Sequence, residues 1–215
     1  TYSKENKEKV FECIKDEEMI LIQDDPYGEL RFENSDRIPY IGLNQSEKNI
    51  YLGSFSKIIT PGMRLGYVIA NKEIIKMLET AKQAADLHSN IFGQYLISDY
   101  LQNNDLDKHI EKIKQLYKEQ ATVMVSAMGE FFPGEIKYTV PKGGMFTWVT
   151  LNEGSDVLQL FNKAIEKKVA FVPGHPFYVN PVNVNTLRLN YTNADSETIK
   201  TGIKRLSEAI REISA

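Results

Sequence analysis

Cysteine is nearly absent: Cys13 is the single one among 215 residues. One thiol cannot close an internal disulfide, so a reducing compartment, the cytoplasm, is the expected setting. Cys13 sits in KVFECIK, apolar at helical spacing, which predicts buried packing rather than chemistry. Histidine is scarce as well. His88, His109 and His175 lie far apart, with no HExxH and no Cys/His cluster, which argues against a metal site. No stretch approaches the ~18 apolar residues of a membrane span, and the opening residues do not read as a signal peptide. A basic excess is missing too. Lys+Arg number 26 against 29 Asp+Glu, a net charge of −3, which argues against a nucleic-acid surface on this segment. What is present, 42% hydrophobic and 26% charged residues, fits a globular protein and excludes collagen or a disordered tail. The length suits one large or two small domains.

The chain shows no internal repeat. Ser3 can cap a helix from about Lys4 to Asp16, with Val10, Phe11 and Ile14 on its apolar side. Met19–Gln23 reads as a buried strand, Asn49–Ser54 as a second and Leu65–Ala70 as a third, with a mostly loop stretch from Asp24 to Lys48. Helices are predicted over Lys72 to about Leu87, Asn90 to about Asn103 and Leu106 to Phe131. The last carries a stripe of Leu106, Ile110, Ile113, Tyr117, Met124 and Met128 and stops at Pro133-Gly134. Beyond it come strand-like Ile136–Val140 and Met145–Leu151, a helix near Asp156–Lys168, strands Val169–Val172 and Thr186–Tyr191, and a helix from Asp195 to about Ser214. This order predicts an α/β part followed by a smaller α+β unit, joined in the long helix near residues 104–115. Such an architecture does not identify a function.

Three segments carry the chemistry. In GSFSKIITPGMRLGY, Gly53 to Tyr67, a lysine directly follows a strand end and is flanked by serines. The Walker pattern GxxxxGK[ST] is absent. Ser54, Ser56 and Arg64, with nearby backbone amides, could bind one phosphate dianion, because a guanidinium offers a rigid, always charged fork. In LIQDDPYGEL, Leu21 to Leu30, Asp24 closes a strand expected to be buried, where an unpaired carboxylate is costly. In TLRLNYT, Arg188 alternates with Leu187 and Leu189, so if the leucines face the core it occupies the opposite face. Taken singly, each has a plainer reading: a solvated lysine, a turn, an exposed strand arginine.

Together and in this order, DDPYGEL, SFSK, PGMRLGYV, PKGGMFTWV, VAFVPGHPF and LRLNYT resemble the fold type I pyridoxal-phosphate (PLP) aminotransferases of class I/II. The nearest flavour is the group of 2-aminoadipate and kynurenine aminotransferases and the aminotransferase-like domains of MocR-type regulators. The resemblance covers essentially the whole chain. It implies a partial PLP-transferase large domain with a mostly parallel sheet, residues 1–104, followed by the small α+β domain, residues 105–215. It also implies PLP as cofactor, amino acid and 2-oxo acid as substrates, and a homodimer. By the same resemblance Lys57 bonds the cofactor's aldehyde carbon and moves the substrate proton, and Asp24 pairs with the ring nitrogen. Tyr27 bonds the ring hydroxyl O3′, Ser54, Ser56 and Arg64 hold the phosphate, and Arg188 grips the substrate α-carboxylate. Asp25 is assigned no role and is expected to point away from Asp24. Gly143-Gly144 and Pro173-Gly174 are expected to shape turns near the substrate entrance, Trp148 to lie in the core, and Ser89 or Asn90 to approach the partner's phosphate.

The family's glycine-containing phosphate loop, ring-stacking aromatic and Asn-Pro-x-Gly motif are not found here. The chain therefore reads as a C-terminal half, expected to bind PLP weakly and turn over little by itself. An aminotransferase-like effector domain of a MocR/GntR-type regulator is the alternative, and a cofactor-free α/β domain the third reading. Arg188 speaks only to an α-carboxylate, so the amino-acid side chain is left open.

Overall fold

The computed structural model describes residues 3–15, 17–33, 38–43 and 47–214. They fall into two compact units, Thr1–Lys114 and Gln115–Ala215.

In the first unit, helix α1 (Lys4–Ile14) starts where the Ser3 hydroxyl accepts the Asn6 N–H at 3.3 Å. Its buried residue is Lys7, whose Nζ donates to the Ile38 carbonyl at 2.7 Å. Phe11 and Ile14 lie on the Lys7 face and are half-buried. Cys13 is exposed, contrary to the sequence expectation. At 3.6 residues per turn it stands about 120° round the helix from Lys7, so apolar neighbours in sequence do not make it a core residue. Strand β1 (Leu21–Asp24) pairs in parallel with β2 (Asn49–Ser54), Leu21 opposite Asn49 and Asp24 opposite Leu52. A four-residue helix, α2 (Tyr40–Leu43), precedes β2. Strand β3 (Gly66–Ile69) pairs antiparallel with β2, Ser54 opposite Gly66. The order β1-β2-β3 leaves β1 at the edge. Met19–Gln23 is accordingly not buried: Ile22 is 58% exposed, and Met19 and Ile20 are exposed as well. Buried side chains of this unit include Leu30, Tyr51, Ile58 and Leu65. Helices α3 (Lys72–Ala85) and α4 (Ile91–Asn103) start at Asn71 and Asn90, whose side-chain oxygens accept the N–H groups of Ile74 at 2.8 Å and Gly93 at 3.0 Å.

Helix α5 (Leu106–Phe131) runs across the division. The second unit continues with β4 (Lys137–Tyr138), β5 (Phe146–Thr150), α6 (Val157–Glu166), β6 (Val172–Pro173), β7 (Thr186–Asn190) and α7 (Ser196–Ser214). Its sheet is antiparallel throughout, in the order β4-β5-β7-β6. One sheet face presents Val149, Leu187 and Leu189 to the core, and α7 adds Ile199, Ile203, Leu206 and Ile210, all buried at helical spacing. The Phe131 carbonyl at the end of α5 accepts from Ser207 Oγ at 2.5 Å and Arg211 Nη2 at 2.8 Å, so α7 satisfies a group the helix itself leaves open.

Two strands differ from the sequence reading. The one expected at Val169–Val172 begins only at Val172. Lys168 turns left-handed (φ 61°), and the Val169 N–H closes α6 by donating to the Ala164 carbonyl at 2.8 Å. The one expected at Ile136–Val140 shrinks to Lys137–Tyr138, because the Ile136 N–H is used in a turn to the Pro133 carbonyl at 3.0 Å. Trp148, expected in the core, pairs with Arg188 across β5 and β7 and so lies on the sheet face opposite Val149 and Leu187. A period of two sends alternate residues to opposite faces, and here that rule outweighs the size of the indole.

Candidate active site

Lys57 ends a single 3-10 turn, Phe55–Lys57, that follows β2 without a gap. The Ser54 hydroxyl caps this turn by accepting the Ser56 N–H at 3.1 Å. The Phe55 carbonyl then accepts from Ile59 at 2.9 Å and Thr60 at 3.1 Å, while the Phe55 N–H donates to Leu65 at 3.2 Å. The segment that carries Lys57 is thus tied to the one that carries Arg64. Arg64 caps the turn Pro61–Met63 in the left-handed region (φ 53°, ψ 39°), which is uncommon for a residue with a Cβ. Among the described residues its exposed side chain reaches no acceptor but the Pro61 carbonyl, at 3.5 Å.

Glycine sets the close approach beneath this loop. A Cβ on Gly53 would run into the Tyr67 ring, and one on Gly66 would stand 2.7 Å from the Gly53 carbonyl oxygen. The Tyr67 ring also packs near Phe55, with centroids 5.3 Å apart. These contacts fix the end of β2 from which the Lys57 turn departs.

Asp24 closes β1 opposite Leu52, so the acid and the lysine turn leave the same, C-terminal ends of two parallel strands. In open α/β sheets that is where ligands are bound. Asp24 is exposed, contrary to the buried setting expected for it, because β1 is an edge strand and alternate residues on it are uncovered. Neither Asp24 nor Lys57 makes a side-chain hydrogen bond or ion pair among the described residues. Asp25 is engaged differently. It accepts from Gln23 Nε2 at 3.0 Å, its carboxylate lies where a Gly28 Cβ would be, and Gln23 Oε1 accepts the Tyr40 N–H at 2.7 Å. Asp24 and Tyr27 line an open cleft of about 490 Å³ together with Lys7, Arg31 and Tyr40.

Arg188 belongs to the second unit. Leu187 and Leu189 beside it are 0% and 4% exposed, whereas Arg188 is half-buried on the other face. Its guanidinium carbon lies 4.0 Å from the centroid of the Phe146 ring and 4.8 Å from that of Phe177. Nε is buried with no acceptor among the described residues. Trp148 meets Phe177 edge to face at 5.3 Å. Sequence reasoning missed both phenylalanines. Phe146 precedes Trp148 by two residues on β5 and so shares its face, but only the β5–β7 register puts that face under Arg188. Phe177 stands on the turn His175–Phe177, which no periodicity marks.

Among the described residues no three His, Cys, Asp or Glu side chains assemble into a metal-binding group, and no helix is long and apolar enough to cross a membrane.

The family described as aminotransferase class I and II matches residues 1–206. The chain is 42% identical over 212 residues to aromatic-amino-acid aminotransferase 1 of Thermococcus litoralis, covering 99% of this chain and 51% of the relative. It is 37% identical over 213 residues to the 2-aminoadipate transaminase of Thermus thermophilus, covering 97% and 53%. The crystal structure of Pyrococcus horikoshii kynurenine aminotransferase in complex with PMP matches with a TM-score of 0.93 at 42% identity, over 99% of this chain and 52% of that one. At 28% identity, over 98% of this chain, the chain also matches YisV of Bacillus subtilis, an uncharacterized HTH-type transcriptional regulator, of which 43% is covered. The chain spans about half the length of the curated relatives it matches.

Proposed function

The chain belongs to the class I and II aminotransferases, and from that premise we propose that it carries the lysine-bearing part of a PLP-dependent enzyme. The reaction is amino-group transfer from an amino acid to a 2-oxo acid, in two half-reactions. Residues 1–104 then form part of the cofactor-binding domain and residues 105–215 the small domain of a cytoplasmic homodimer.

The donor set fits the cofactor. Two hydroxyls and a guanidinium without an internal acid suit a phosphate dianion. A carboxylate at the end of the neighbouring parallel strand suits a protonated ring nitrogen. When bound, PLP acts as an electron sink for the charge that develops at the substrate Cα. This chain's residues do the rest. Lys57 Nζ, without a partner among the described residues, holds the cofactor and takes the proton from the substrate Cα. Asp24 keeps the ring nitrogen in its charged form, and Tyr27 donates to the ring hydroxyl oxygen. Ser54, Ser56 and Arg64 anchor the phosphate. Arg188 receives the α-carboxylate and so aims the Cα–H bond.

One observation supports this reading most: the unpaired Lys57 and Asp24 stand at matching ends of adjacent parallel strands, with the Lys57 turn hydrogen-bonded to the Arg64 segment. The regulator reading has less support, since the relative of that kind is 28% identical against 42% and 37% for the enzymes. A panel of amino donors against 2-oxoglutarate tests the proposal on the native protein. Product should form, and Lys57→Ala should lower kcat at least about 100-fold. Undiminished turnover in Lys57→Ala contradicts the assignment.

A further inference from the structure

An arginine that must hold an incoming carboxylate faces a conflict. Fixing its side chain usually takes an internal acid, and an internal acid competes with the ligand for the same N–H groups. Arg188 is fixed without one. No carboxylate among the described residues pairs with it. Two aromatic rings lie against its guanidinium instead, Phe146 at 4.0 Å and Phe177 at 4.8 Å, within the range where a ring face attracts a cation. Their places are set by different elements. Phe146 is on β5, diagonal to Arg188 across the register that pairs Trp148 with Arg188. Phe177 stands on the turn after β6 and is braced edge-on by Trp148, at 5.3 Å and 81°. The Nε edge is buried, so the terminal Nη groups are the donors left for a ligand.

We propose that Phe146 and Phe177 are positioning residues. They hold the Arg188 guanidinium by their faces, leave its charge uncompensated, and present its terminal fork to the substrate α-carboxylate. The inference rests on the reading of Arg188 as the carboxylate ligand.

The test uses the native protein loaded with PLP and the variants Phe146→Leu, Phe177→Leu, the double variant, Phe177→Tyr and Arg188→Gln. Steady-state kinetics give kcat and the KM for the amino donor, and calorimetry gives the Kd for 2-oxoglutarate. The double leucine variant should raise KM and Kd by about tenfold, equivalent to about 1.4 kcal/mol, with PLP affinity unchanged and kcat moved less than KM. Phe177→Tyr, which keeps a ring face, should stay near the parent. If Arg188→Gln weakens 2-oxoglutarate and the leucine variants do not, the positioning role is wrong while the carboxylate reading stands. If Phe177→Tyr and Phe177→Leu weaken it alike, the rings serve packing only and the proposal fails. If Arg188→Gln leaves Kd and KM unchanged, the carboxylate reading itself falls. Should the double variant not fold, the two single leucine variants against Phe177→Tyr make the same comparison.

Discussion

Tyr191 shows how one side chain couples the second unit to pH. It is wholly buried, and its hydroxyl donates to the Gly143 carbonyl at 3.1 Å. Burial first, and Tyr117 second, push its phenol well above the ordinary tyrosine range. A folded pKa raised above the unfolded value of about 10 gives stability that is fully present below that pH and is lost as pH rises through the folded value. Tyr191→Phe should therefore lower stability by about 1 kcal/mol at neutral pH, the net worth of one hydrogen bond. That gap should close in strong alkali. Urea denaturation of parent and variant at pH 7 and near pH 11 checks this; a gap constant across both contradicts it. Single residues were legible where a local rule governs them. Arg188 falls on the face that strand alternation assigns, opposite Leu187 and Leu189. Cys13, Asp24 and Trp148 were misjudged because burial depends on what covers a face, and nothing within a few residues of sequence states that. Phe146 and Phe177 were missed for the same reason: cross-strand register is not local information.

At the scale of elements, the long helices were read with near-correct limits. Their signals are local: capping Asn71 and Asn90, the Pro133-Gly134 stop, and an apolar stripe on α5 that includes buried Ile110, Met124 and Met128. The two-residue strands β4 and β6 were not, since turns at their edges consume N–H groups that a ladder would otherwise use. The junction of β2 and β3 makes a sharper claim. The backbone at Gly53 carries the Tyr67 ring directly on it, with no room for a methyl group. Gly53→Ala should destabilise by about 1–3 kcal/mol, the usual cost of overpacking. Gly62→Ala, in a turn where a Cβ meets nothing nearer than the Thr60 hydroxyl at 3.9 Å, should be close to neutral. Chemical denaturation of the two variants separates them. Equal midpoints would mean that the Gly53–Tyr67 contact does not hold the end of β2.

At the scale of the whole molecule, the chain order of helices and strands was legible, and with it the family. The joint between the units was expected in the long helix near residues 104–115. It falls between Lys114 and Gln115, inside a helix unbroken from Leu106 to Phe131. Hydrophobic periodicity reports that a helix continues, not which core each turn joins. The small sheet of the first unit also leaves Ile22 and Val68 exposed on one face and Ile69 on the other, although a short apolar run reads as a buried strand. Function rests on the convergence of strand ends at Lys57, and covalent mapping tests that most directly. The native protein is incubated with PLP, reduced with borohydride and digested, and the modified peptide is located by mass spectrometry. The pyridoxyl group should be found on Lys57 and should disappear in Lys57→Ala; a stoichiometric adduct on another lysine, or one that survives that substitution, contradicts the account.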